Sequence, residues 1–89
     1  MDFLHTDLGS QSRGALVTVT LKGTEANVLL IDQTNFQSYR AHRQFTYTGG
    51  HYRQSPVSLI VPHAGHWHLV VDLGGAAGTI RASVSVTPA

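Results

Sequence analysis

The segment SPVSLIVPHAGHWHLVVDLGG, residues 55–75, admits little besides two β-strands around a short His-rich turn. From Gly65 onward a two-residue period assigns each side chain to a face. Trp67, Leu69, Val71 and Leu73 fall on one side as a core stripe, while His66, His68, Val70 and Asp72 fall on the other. That second side carries two imidazoles and a carboxylate in a row, an arrangement suited to chemistry.

Strand-like segments recur along the rest of the chain, separated by Gly, Pro, Asn or Asp. Residues 3–8 form a short candidate, and in 15–22 Val17, Val19 and Leu21 face inward while Thr18, Thr20 and Lys22 face outward. Residues 27–31 are apolar at nearly every position, as in a strand covered on both faces. Thr34-Asn35-Phe36-Gln37 has the form of a capping box, and the spacing of Phe36, Tyr39 and Arg40 predicts one short helix over 35–41. Strands are expected at 44–48, closed by Gly49-Gly50, then at 56–61 and 66–73. A last one runs from Ile80 with Ala82, Val84 and Val86 inward.

About seven short strands at this spacing predict an all-β fold, a small antiparallel β-sandwich or partly open barrel with one helix. The expected core is Phe3, Val17, Val19, Leu21, Leu29, Ile31, Val57, Leu59, Val61, Trp67, Leu69, Val71, Ile80, Val84 and Val86. Eighty-nine residues suffice for one domain and are too few for two, so 1–89 is expected to be a single domain.

Charged residues make up 12% of the chain and hydrophobic ones 42%, which excludes a disordered polymer. The charge is low for an isolated small domain. Part of the surface is therefore expected to be covered, by a second copy in a homo-oligomer or by a protein partner. The absence of cysteine excludes disulfides, thiolate nucleophiles and Cys-based zinc sites. It also favours a reducing, cytoplasmic location. Neither a signal peptide nor an apolar run long enough to span a membrane is present, so no membrane association is expected.

His66 and His68, two apart on a strand, place their Cα atoms roughly 6–7 Å apart on one face. With Asp72 one repeat further and His63 in the preceding turn, they form a candidate site for a divalent metal such as zinc. The His-x-His-x3-Asp run echoes the first metal motif of cupins, but Ile60 stands where that motif begins with Gly, and no second motif follows. The plainer reading puts these imidazoles on a half-solvated sheet face with no cofactor at all. A second group interleaves rings with cations over 39–53, and its candidate binding face is Arg40, His42, Arg43, His51 and Arg53. Three Arg make a modest footprint for phosphates, so a weak nucleic-acid or anion binder is the alternative there, with nucleic acid not the expected partner. The loop 74–78 leads into a strand rather than a helix, which removes it as a phosphate cradle.

The segments FLHTDL, NVLLIDQTNFQSYR, YTGG and SPVSLIVPHAGHWHLVVDLGG resemble the bacterial domain of unknown function 1883 family, over nearly the whole chain. The resemblance implies a compact, mainly β fold and no established activity. Its members look like stand-alone small proteins or accessory modules fused to TIR domains of bacterial signalling and defence. These 89 residues hold no TIR segment, so no NADase activity is implied for them. The leading expectation is a non-catalytic binding module, not an enzyme. The alternatives are a metal-binding protein or metal-dependent enzyme using the His-x-His face, and a pH sensor, since protonating six His would add six charges to a formal +1.

Overall fold

The computed structural model describes residues 3–23, 25–74 and 78–89. Seven strands and one helix follow in chain order: β1 (Phe3–Gln11), β2 (Leu16–Gly23), β3 (Ala26–Asp32), α1 (Gln33–Arg40), β4 (Thr48–Tyr52), β5 (Val57–Ile60), β6 (Gly65–Asp72) and β7 (Ile80–Thr87). They form a four-stranded sheet in the order β1-β6-β3-β4 and a three-stranded sheet in the order β5-β2-β7, with every pairing antiparallel. The two sheets face one another as a sandwich, and the fold is all-β with one helix. Of the two architectures expected, the sandwich is the one formed.

The space between the sheets is filled from the predicted inward positions. Val17 and Val19 of β2, Val57 and Leu59 of β5, and Trp67, Leu69 and Val71 of β6 are all buried there, joined by Val28 and Leu30 of β3. On β7, Ile80, Ala82, Val84 and Val86 pack half-buried against this core while the residues between them face water. The Trp67 indole N–H donates to the His63 carbonyl at 2.9 Å, so the large ring enters the core with its polar atom satisfied.

The outer face of the four-stranded sheet carries a second core. Leu29, Ile31 and Val70 pack beneath Phe36 of α1, with Phe3, Tyr39 and Phe45 at the margin. Leu29 and Ile31 are buried as expected, but in this second core under the helix rather than between the sheets, with Phe3 half-buried at its margin. β3 alternates between two buried faces, as its unbroken apolar run predicts. α1 covers part of the histidine-bearing face: His68 is 4% exposed and Asp72 5%, while His66 stays exposed.

Two elements lie elsewhere than their sequence signals suggest. α1 starts earlier than 35–41, because Asp32 and not Thr34 caps it, its Oδ1 accepting the Asn35 N–H at 2.9 Å. Asp caps as well as Ser or Thr does, and here β3 runs straight into the helix with no loop to spend. The strand expected at 44–48 is instead β4, and Gly49-Gly50 lie inside it. Gly49 adopts φ +132°, and a Cβ there would stand 2.0 Å from the Val28 carbonyl oxygen. The glycine is needed for close backbone approach to β3, which looks the same in sequence as a strand terminator. In the 74–78 loop, residues 75–77 lie outside the described residues.

Candidate functional site

Register sets the groups of the outer face into rows. Across β1, β6 and β3, Asp7 stands beside His68 and Ile31, His5 beside Val70 and Leu29, and Phe3 beside Asp72 and Asn27. A His-x-Asp pair on β1 thus meets the His-x-His pair of β6, two residues per strand on one face. The contacts run along the diagonals. His66 Nε2 lies 2.6 Å from Asp7 Oδ1, and His5 Nε2 lies 2.8 Å from His68 Nδ1. Asp7, His66 and His68 each offer one ligand atom, and the three lie within 4.8 Å of one another.

Local structure holds each group in place. A β-bulge interrupts the β1–β6 register between Asp7 and Gly9. Gly9 takes φ +68° there, and its N–H donates to Asp7 Oδ1 at 2.8 Å. That amide holds the Asp7 carboxyl below its usual range, desolvation working against it and the His66 hydrogen bond with it. Phe36 stacks on His5 and His68 with ring centroids at 4.4 and 4.2 Å. His68 Nε2 lies 2.5 Å from Gln33 Oε1. With that carbonyl accepting, Nε2 carries the proton and Nδ1 presents its lone pair to β1. Burial pulls the His68 imidazolium below the ordinary imidazole range; Asp7 opposes this, and the neighbouring His5 and His66 reinforce it.

The metal set drawn from sequence, His66, His68, Asp72 and His63, is only half gathered. His66 and His68 are neighbours, with rings stacked at 4.9 Å. Asp72 shares their face, yet four residues along a strand is about 13 Å. Its carboxylate is spent on structure: Oδ1 accepts from Asn27 Nδ2 and the Gly74 N–H, both at 2.9 Å, and Oδ2 from the Tyr39 hydroxyl at 2.7 Å. The His63 Nε2 points instead to Asp32 at the start of α1, 3.7 Å away. Asp7 takes the place expected for Asp72, with His5 beside it. The same two-residue period marks both within FLHTDL; what sequence lacked was the pairing of β1 with β6, nearly sixty residues away.

The family model described as Domain of unknown function (DUF1883) matches residues 1–89, the whole chain. The chain belongs to this family. No curated protein and no solved structure matches it. The second sequence-predicted group of this DUF1883 chain also divides in two. Arg40, His42 and Arg43 line a cavity of about 370 Å³ whose other walls are Phe3, Tyr39 and Phe45. His51 and Arg53 lie apart, on and after β4, both paired to Glu25, at 3.5 and 2.8 Å. Tyr39 and Phe45, edge to face at 5.2 Å, line both this cavity and a more open one of about 400 Å³ that includes His51.

The C-terminus of α1 builds the cavity rim. The Arg43 N–H donates to the Ser38 carbonyl at 2.9 Å and the His42 N–H to the Tyr39 carbonyl at 3.2 Å. This is a Schellman cap, with His42 in the left-handed position usually given to glycine, φ +58°. The cap turns the chain back so that Arg40, His42 and Arg43 converge around one opening. The Arg40 guanidinium is held over the Phe36 ring at 5.9 Å.

Proposed function

We propose that this protein is a non-catalytic binding module that takes a small anionic ligand with a flat apolar body into the cavity at the end of α1. The observation that carries the reading is the convergence of two guanidiniums, one imidazole and three aromatic rings on a single opening of about 370 Å³. That size falls within the range of small-molecule sites. The rings give an apolar body faces to stack against, while Arg40 and Arg43 suit a carboxylate or phosphate at the mouth. The lining argues for binding over catalysis: among the described residues it brings no carboxylate to His42, and the Tyr39 hydroxyl is already given to Asp72. The family resemblance to modules fused to TIR domains fits an accessory role of this kind.

Phenyl phosphate is a suitable first probe, with inorganic phosphate and phenol as its two halves. Calorimetric titration is expected to show phenyl phosphate binding at least about tenfold tighter than either half. Losing one charge-assisted contact costs about 1.5–3 kcal/mol, so Arg43→Ala should weaken it by about tenfold or more. Equal weak binding of all three, unaffected by Arg40→Ala and Arg43→Ala, would remove the cavity from consideration.

A further inference from the structure

We infer that Asp7, His66 and His68 form a divalent transition-metal site on the β1–β6 strand pair, a site distinct from the cavity at the end of α1. Two imidazole nitrogens and one carboxylate oxygen are a donor set for zinc, cobalt, nickel, manganese or iron(II), whereas calcium and magnesium take all-oxygen shells. The three donor atoms already lie within 4.8 Å of one another before any ion is added. A tetrahedral zinc with bonds of 2.0–2.1 Å brings neighbouring donors to about 3.3 Å. The widest pair therefore closes by at most about 1.5 Å, while His66 Nε2 and Asp7 Oδ1, now 2.6 Å apart, open by about 0.7 Å. Asp7 and His66 are free to make these shifts, their side chains being 54% and 42% exposed, while buried His68 serves as the fixed point.

The surroundings are those of a held ligand set. Metal-bound histidines give their second nitrogen to a hydrogen-bond acceptor, which fixes tautomer and ring orientation. His68 does so with Gln33 through Nε2, leaving Nδ1 toward β1. Phe36 clamps the ring from one side. Asp7 is held through the Gly9 amide at the bulge, so its second oxygen remains available. Without metal, the His5 Nε2–H donates to His68 Nδ1 at 2.8 Å, the lone pair that an ion would take in its place. The exposed half of the cluster, His66 and Asp7, joins β6 to β1 through one contact at 2.6 Å and is open to an ion from solvent.

The test uses tag-free protein stripped with a chelator and titrated with zinc, and separately with cobalt(II) as a spectroscopic probe. One zinc per chain is expected. Zinc at about a hundred times its Kd should raise Tm by about 10 °C or more, and cobalt(II) should develop visible absorption from a site of four or five ligands. Asp7→Asn and His66→Gln, both at exposed positions, should each weaken zinc binding by about tenfold to a hundredfold or more. His5→Gln should weaken it less. His51→Gln and His63→Gln should leave it within threefold of the parent. His68→Gln should abolish it, and the two exposed variants decide the matter if that one does not fold. Binding below one zinc per chain would overturn the inference. So would binding unchanged in the Asp7→Asn/His66→Gln double variant or lost with His51→Gln. Phenyl phosphate binding is read independently, so failure of either site leaves the other standing.

Discussion

Two residues show how single side chains are committed either to the fold or to a site. His42 occupies the left-handed cap position, where a β-carbon costs roughly 1–2 kcal/mol and glycine costs nothing. His42→Gly should therefore stabilise the protein by about 1 kcal/mol, raising Tm by about 4–8 °C, while weakening phenyl phosphate binding. A variant that is less stable would show that the imidazole contributes to the fold itself. Tyr39 is the second case. Burial, and then the hydrogen bond to the Asp72 carboxylate, raise its phenol well above the ordinary value. In the unfolded chain this phenol titrates near pH ~10, before the folded one does. The unfolded state then binds fewer protons, so stability falls as pH rises above that point. Below it the contribution is whole. The Tm gap between wild type and Tyr39→Phe should thus be widest at neutral pH and shrink between pH 9 and 11, as thermal melts across that range would show. A gap that stays constant would mean that the Tyr39–Asp72 bond is not coupled to folding.

At the scale of elements, period-two alternation did most of the work, and its failures have identifiable causes. β2 and β7 were legible because apolar and polar residues alternate along most of each strand, and β5 and β6 because Val57 and Leu59, and Trp67, Leu69 and Val71, keep a two-residue period. β5 supplies a direct check, since Leu59 is 6% exposed and the adjacent Ile60 is 54% exposed. Chemical denaturation should find Leu59→Ala costing about 2–4 kcal/mol and Ile60→Ala within about 0.5 kcal/mol of wild type. Comparable losses at both would mean that β5 does not present one face to the core. The misplaced helix start came from two overlapping caps, Asp32 and Thr34, between which only the end of β3 decides. β4 was misread because a glycine required for close approach to Val28 resembles one that ends a strand. Leu29 and Ile31 are buried as expected, yet which of the two cores they join could not be read from the sequence. A strand buried on both faces says nothing about which core each face meets until the helix over it is placed.

At the scale of the whole molecule, the site depends on contacts that no local pattern encodes. The His-x-His strand was apparent from sequence, and so was the row of groups on its outer face. Its partners were not: Asp72 looked nearest in sequence, while β1 delivered His5 and Asp7 from the other end of the chain. The 39–53 segment was likewise read as one face. The sheet separates it, sending Arg40, His42 and Arg43 to the cavity and leaving His51 and Arg53 with Glu25. The proposed function implies a division of labour, in which the inter-sheet core provides stability and the helix-covered outer face takes the ligand. Amide chemical-shift mapping by NMR during a phenyl phosphate titration tests this most directly. Saturable shifts are predicted at Phe3, Arg40, His42, Arg43 and Phe45, with β2, β5 and β7 unmoved; shifts centred on those three strands, or none at all, would contradict it.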